Sequence, residues 1–250
     1  MKDLLDECGK DLSLLGYKCK KAGEYGLEIC QMSVKGHQQE KETGFEEGEY
    51  VVLNCKNLPF CDADCAEFVS KHLQKVLKTM LADSSLTRKS RFLIVGLGNP
   101  NILADSLGTK VLENVPIDVL KNKSNVFKFA PNIFVNTGIN ALDVVGMLAV
   151  WLDIDAVFVI DSLATDCIDR VACSLQVNTA GITPGSALNN LGKKIGKSTL
   201  GIPCISIGVP LMFYGHKYGK KEMLLTPKDI HQNVDNLAYV IGDAISGVLL

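Results

Sequence analysis

Basic charge is not in excess in this sequence: 26 lysines and arginines stand against 28 aspartates and glutamates, a net charge of −2. Nucleic-acid binders need a basic field, so that class of direct partner is set aside. An uninterrupted apolar run is also missing. The longest apolar region, residues 141–164, is broken by Asp143, Asp153, Asp155 and Asp161, whereas a membrane span needs about 20 consecutive apolar residues. The first residues carry Lys2, Asp3, Asp6 and Glu7 and contain no apolar core of a signal peptide. A cytoplasmic location is the expectation. Histidine is scarce, four in all and scattered (His37, His72, His216, His231).

What is present suits one large domain. The chain has 250 residues, 47% of them hydrophobic, enough for a sizeable core, so residues 1–250 are read as one unit. The nine cysteines are expected to be mostly reduced and to pack as small apolar residues. Cys61 and Cys65 form a C-x3-C pair, but no second pair or nearby histidine completes a tetrahedral site, so no metal is assigned and Cys65 is placed on a helix face.

Apolar patterning predicts strands at 27–34, 50–55, 92–96, 133–138, 156–161, 171–177 and 204–210. Helices fit at 63–81, 106–114, 139–152, 162–169 and 227–248. Asp62 is the expected N-cap of the first helix. The acidic stretch from Lys35 to Glu49 is read as a solvated connection. Short strands alternating with helices indicate an α/β protein with a mainly parallel or mixed sheet sandwiched by helices. Ligands of such sheets sit beyond the carboxyl ends of the strands.

Chemistry is therefore sought at strand ends. Gly96-Leu97-Gly98 opens like a dinucleotide loop, but Asn101 stands where the third glycine belongs and Pro100 delays any helix, so the fingerprint fails. Asp105, past this loop, either caps the next helix or faces the strand ends. Asp161 follows the buried run AVFVI, where a carboxylate loses hydration unless it is paired or set in a cleft. Two carboxyls in one cleft can share a proton and activate a water, which suffices for hydrolysis without a metal, cofactor or serine nucleophile. Glycine-loop N–H groups at 96–98 or 181–185 are candidate oxyanion donors. Ser186 has no G-x-S-x-G elbow around it.

Five ordered blocks carry a more specific signal: VGLGNPNILADSLG (95–108), VIDSLATDCIDR (159–170), QVNTAGITPGSALNN (176–190), TLGIPCISIGVP (199–210) and MLLTPKDI (223–230). Together they resemble the germination protease family of spore-forming bacteria, atypical aspartic endopeptidases. The resemblance implies a fold like that of hydrogenase maturation proteases and a catalytic pair at Asp105 and Asp161. It implies substrate-side roles for the motif positions Gly96, Gly98, Asn99, Gly138, Gly181, Gly185 and Ser186. It also implies cleavage of small acid-soluble spore proteins in the spore core, synthesis as a zymogen (with residues 1–26 as a pro-segment or N-terminal extension), and assembly as a homo-oligomer, a tetramer by that likeness.

Three departures stand out. Asp166 replaces a usually basic residue, Ala187 and Asn189 replace glycines, and only residues 211–224 stand where the family carries a long insertion. They motivate an alternative, a weak or inactive paralogue that binds spore proteins or regulates a full-length protease. Two enzyme rivals rank lower. GLGNP also opens peptidyl-tRNA hydrolases, but their downstream histidine is missing between Asn101 and Lys123. A nickel-recognising maturation protease would have only His216 to offer.

Overall fold

The computed structural model describes residues 16–117, 125–131, 137–185, 192–215 and 223–250. Within them one mixed sheet of nine strands runs in the order β1-β2-β3-β7-β8-β6-β4-β5, with β9 paired to β8. The strands are β1 (Lys18–Lys21), β2 (Glu28–Val34), β3 (Gly48–Asn54), β4 (Phe92–Gly96), β5 (Val126–Phe129), β6 (Ala156–Thr165), β7 (Ser174–Asn178), β8 (Cys204–Tyr214) and β9 (Leu224–Leu225). The helices are α1 (Gly36–Thr43), α2 (Ala63–Asp83), α3 (Leu107–Asn114), α4 (Ala141–Trp151), α5 (Lys197–Leu200) and α6 (Ile230–Leu249). Strands β5, β4, β6 and β8 pair in parallel, while β7, β3, β2 and β1 continue the sheet antiparallel.

The apolar spacing of α2 explains its place. Cys65, Val69, Leu73, Leu77 and Met80 are buried and recur every three or four residues. Asp62 caps it, its side chain accepting from the Cys65 N–H at 2.9 Å. Helix α6 packs on α2 and α3, and together they cover one sheet face through Phe92, Ile94, Phe158, Ile160, Ile205 and Ile207. The other face packs Leu93, Val95, Val157 and Val159 against Val145 and Ala149 of α4. The alternation along β4 and β6 is the period-two pattern of strands buried on both sides.

Four expectations are corrected. The helix expected at 162–169 is absent: β6 runs on to Thr165 because β8 supplies partners for Ser162, Leu163, Ala164 and Thr165. Only Ile168–Arg170 coils, as a short 3-10 turn; strand pairing overrides local propensity here. The acidic connection contains helix α1, closed by Gly44 in the left-handed region. Strands β1, β5 and β9 are additional to those expected; the segment expected as a strand at 133–138 lies mostly outside the described residues. Among the described cysteines, Cys55, Cys167, Cys173 and Cys204 are free, whereas Cys19–Cys30 and Cys61–Cys65 form disulfides. The first joins directly opposed residues of β1 and β2, a tertiary proximity that residue spacing does not reveal.

One contact fixes the entry to the strand-end region. A Cβ on Gly108, at the start of α3, would sit 2.5 Å from the Leu97 nitrogen, and one on Gly96 would overlap the Gly108 carbonyl oxygen. The end of β4 and the first turn of α3 thus meet backbone to backbone. Gly108→Ala is expected to cost about 3 kcal/mol, the upper part of the overpacking range, read as a lower urea midpoint at unchanged m-value.

Candidate active site

Strand β4 leaves the sheet early. Its last rung with β6 pairs Gly96 with Ile160, and the Leu97 N–H still donates to the Ile160 carbonyl at 2.8 Å. The chain then turns at Gly98, whose φ of 103° lies where side chains are strained. A Cβ there would overlap the Asp105 carbonyl oxygen and stand 3.1 Å from its Oδ1. The loop folds back through Leu103–Asp105, a 3-10 turn that packs against β6, β8 and α6.

Asp105 does not cap α3. The N-cap position is Ser106, which makes no side-chain capping bond. The Asp105 carboxylate turns the other way and accepts the Asn99 N–H at 2.8 Å. Burial pushes its pKa above the ordinary aspartate value, and the Asn99 bond opposes that shift without cancelling it. A carboxyl that resists ionisation is suited to hold and deliver a proton.

Asp161 sits one residue past the β4 ladder, in the middle rather than at the end of β6. All ten residues of β6 are buried, Asp161 among them at 5% exposure. Its Oδ1 accepts the Ser162 N–H at 2.9 Å. The strand end expected at Asp161 is therefore that of its neighbour: β4 departs, β6 continues, and the loop carrying Asp105 returns over the gap. Asp161 lies on β6 and Asp105 on the 3-10 turn of the loop that leaves the carboxyl end of β4, and the carboxyl side of such strands is where α/β sheets bind ligands.

The glycine-loop positions divide. The Asn99 N–H is engaged by Asp105, and the Gly181 N–H donates to Asn178 Oδ1 at 2.9 Å. Gly96 serves the approach of α3. Gly138 and Gly185 are exposed turn residues with positive φ and open space around them. Ser186 and His216 lie outside the described residues. Among the described residues, one group of metal-type side chains converges, Cys19, Glu28 and Cys30, but its two sulfurs are bonded to each other in the disulfide; it lies on β1 and β2, at the far edge of the sheet from the β4–β6 pair.

A polar group absent from the expectations stands near Asp161. Gln176, Asn178 and Ser206 are buried on β7 and β8, and Ser206 Oγ donates to Asn178 Oδ1 at 2.8 Å. The signal was present in Ser174-Leu175-Gln176-Val177-Asn178, a strict polar–apolar alternation. In a strand buried on both faces, that pattern marks one face as polar by design.

With this geometry in hand, similarity to known proteins becomes informative. A family model described as germination protease matches residues 5–217. The chain belongs to the germination protease family. Germination proteases of Caldanaerobacter subterraneus subsp. tengcongensis, Bacillus subtilis and Clostridium tetani are 29%, 32% and 30% identical over 82%, 78% and 78% of this chain. The matched region spans 65%, 55% and 62% of their respective lengths, about half to two thirds of each relative. Among solved structures, a [NiFe] hydrogenase maturation protease, HycI from Thermococcus kodakarensis, matches 68% of this chain and 98% of its own at 16% identity, with a TM-score of 0.42.

The raised Asp105 pKa has a stability consequence. The folded protein binds the Asp105 proton more tightly than the unfolded chain does. Stability is therefore lost as pH rises from the ordinary aspartate range through the raised pKa, and the penalty persists above it. Asp105→Asn keeps an acceptor for the Asn99 N–H and removes the buried charge. Its thermal midpoint is expected to exceed that of wild type at neutral pH, the gap closing as pH falls below about 4. Equal gaps at both pH values would contradict a desolvated carboxyl.

Proposed function

We propose that this chain is an endopeptidase of the atypical aspartic kind, acting on small acid-soluble spore proteins in the spore core during germination. The observation that carries the reading is the placement of Asp105 on the 3-10 turn that follows β4 and packs against β6, the strand that carries Asp161, with burial raising the Asp105 pKa above the ordinary aspartate value. Membership of the germination protease family supports the substrate class.

Asp161, as carboxylate, takes a proton from a water molecule, and the resulting hydroxide attacks the scissile carbonyl. Asp105, as the acid, gives its proton to the departing amine. The two exchange protonation states in one turnover, and passage of the proton from Asp161 back to Asp105, directly or through a water molecule, restores the pair. No metal or cofactor enters this scheme.

A second reading remains on a specific observation. Where family members carry their long insertion, β8 runs to Tyr214 and β9 pairs back on it, Phe213 opposite Leu225 and Tyr214 opposite Leu224. If substrate capture or subunit assembly depends on the missing part, the chain binds spore proteins without turning them over efficiently.

Incubation of the purified protein with a small acid-soluble spore protein separates the two. Cleavage is expected from wild type, and Asp105→Asn and Asp161→Asn are each expected to reduce kcat by about 10²–10⁴-fold, the range for a lost general acid or base, with the fold retained by circular dichroism. Full activity in both variants would remove the mechanism; binding without wild-type cleavage would establish the paralogue. Because Asp105 acts as the acid, kcat is expected to fall as pH rises through its raised pKa. In Asp105→Asn that limb should vanish from the residual activity.

A further inference from the structure

The sheet edge away from the two aspartates carries a second chemical grouping. Strand β1 opposes β2 in antiparallel register, with Cys19 facing Cys30 and Lys21 facing Glu28. Directly opposed residues share a face, as do residues two apart along a strand. Cys19, Lys21, Glu28 and Cys30 therefore stand on one side of the sheet, and Lys18 and Lys20 on the other. A Glu28 carboxylate oxygen and the two sulfurs all lie within 4.8 Å of one another. Cys19 is exposed and Glu28 partly buried, while Cys30 is buried in the apolar cluster of Met32, Tyr50 and Val52.

We propose that Cys19, Cys30 and Glu28 form a redox-gated site for a thiophilic divalent cation of the zinc class. The disulfide is its closed state, and the dithiol is its binding state. A dithiol reductant opens the bridge by exchange: its own two thiols become a disulfide, and Cys19 and Cys30 each gain a hydrogen. The cation then takes both sulfurs as thiolates, and two protons are released. Glu28 supplies the third ligand and a water the fourth, a tetrahedral set that zinc accepts. The site goes beyond the endopeptidase reading and uses neither aspartate.

Charge and geometry both suit a cation. Two thiolates and a carboxylate exceed a dication by one negative charge, and Lys21, the register partner of Glu28, stands on the same face to offset it. Zinc–sulfur bonds of about 2.3 Å set tetrahedral sulfurs about 3.8 Å apart. Rotation about the Cα–Cβ bonds supplies that separation while the ladder keeps the two Cα atoms 4.0 Å apart. Inside a reducing compartment, paired cysteines serve metals or catalysis more often than permanent cross-links. The link also matters to the fold. All four residues of β1 are exposed, and β1 is the outermost strand, paired to β2. The connection to buried Cys30, by disulfide or by metal, anchors this edge to the core.

The test titrates metal-free protein, reduced with a phosphine, freed of it and kept under argon, with cobalt(II), and follows the thiolate-to-metal charge-transfer band. Cys19→Ser and Glu28→Gln, made separately, isolate this site from the other cysteines of the chain. Reduced wild type is expected to bind one equivalent more than Cys19→Ser does, and oxidised wild type to lack that equivalent. Glu28→Gln is expected to weaken it by about tenfold or more, since even an outer-shell partner of a metal ligand is worth that much. Equal stoichiometry in reduced wild type and Cys19→Ser overturns the site, and wild-type affinity in Glu28→Gln overturns the ligand set. Trypsin gives an independent readout at Lys18, Lys20 and Lys21. Strand β1 is expected to resist cleavage when oxidised or when reduced and zinc-loaded, and to be cut when reduced with a chelator present. The same rate of cutting in reduced protein with and without zinc overturns the proposal.

Discussion

The approach of Gly96 to Gly108 is the constraint on which the strand-end region depends. Helix α3 begins so close to β4 that neither position tolerates a Cβ. With α3 held there, the connection between strand and helix, residues 97–106, must loop outward and come back. Gly98 makes the reversal with a positive φ, and the Asp105 carbonyl fills the space its missing side chain leaves. Asp105 is thereby held in a half-buried position by backbone geometry before any side-chain bond is counted. The Asn99 N–H then fixes the carboxylate rather than creating its location. Two glycines packed against each other and one in a turn thus place an acid whose pKa burial raises above the ordinary aspartate value.

The same early exit of β4 accounts for Asp161. In a parallel sheet covered on both faces, a mid-strand carboxylate would be buried among apolar neighbours, at a cost of several kcal/mol for an unpaired charge. Here the neighbouring strand ends one rung earlier, so the Asp161 side of β6 faces a loop instead of another strand. Continued pairing with β8 keeps the backbone of β6 satisfied out to Thr165. The β4-side edge of β6 beyond Ile160 thus meets the 3-10 turn carrying Asp105 while the strand itself continues unbroken.

Much of this was legible from residues alone, and the failures share a cause. The capped, four-spaced pattern of α2 is a local signal and read correctly, as did the apolar runs of β4, β6 and β8. Asp161 could be singled out because a charge at the end of an apolar run conflicts with burial, whereas the residues around Asp105 left a helix-cap reading open and the family resemblance supplied its role. The continuation of β6 through Ser162–Thr165 could not be read, since those residues are strand only because β8 lies alongside. Helix α1 was hidden because its composition is that of a solvated loop, and its stabilising contacts are few and local: Gly44 closing it and Thr43 buried beneath it. The disulfide between Cys19 and Cys30 depends on the register of β1 against β2, which spacing in the chain does not specify. The alternation that marks Gln176 is legible in Ser174–Asn178.

The alternation on β7 is intelligible from the change of strand direction. Strands β5, β4, β6 and β8 run parallel, and helices cover both faces of this part of the sheet and leave little place for polar side chains. From β8 outward the pairing is antiparallel, and an antiparallel strand can carry one apolar and one polar face. Leu175 and Val177 join the main core, while Gln176 and Asn178 point to the opposite side. The row from Asp161 through Gly208 to Gln176 therefore spans the boundary between the two kinds of sheet. On one side of that boundary a carboxylate is supplied by a strand whose neighbour ends early. On the other, amides are supplied by a strand whose direction permits a polar face. Gly208, register partner of both, leaves room on that face for the Leu163 side chain, which a Cβ there would displace.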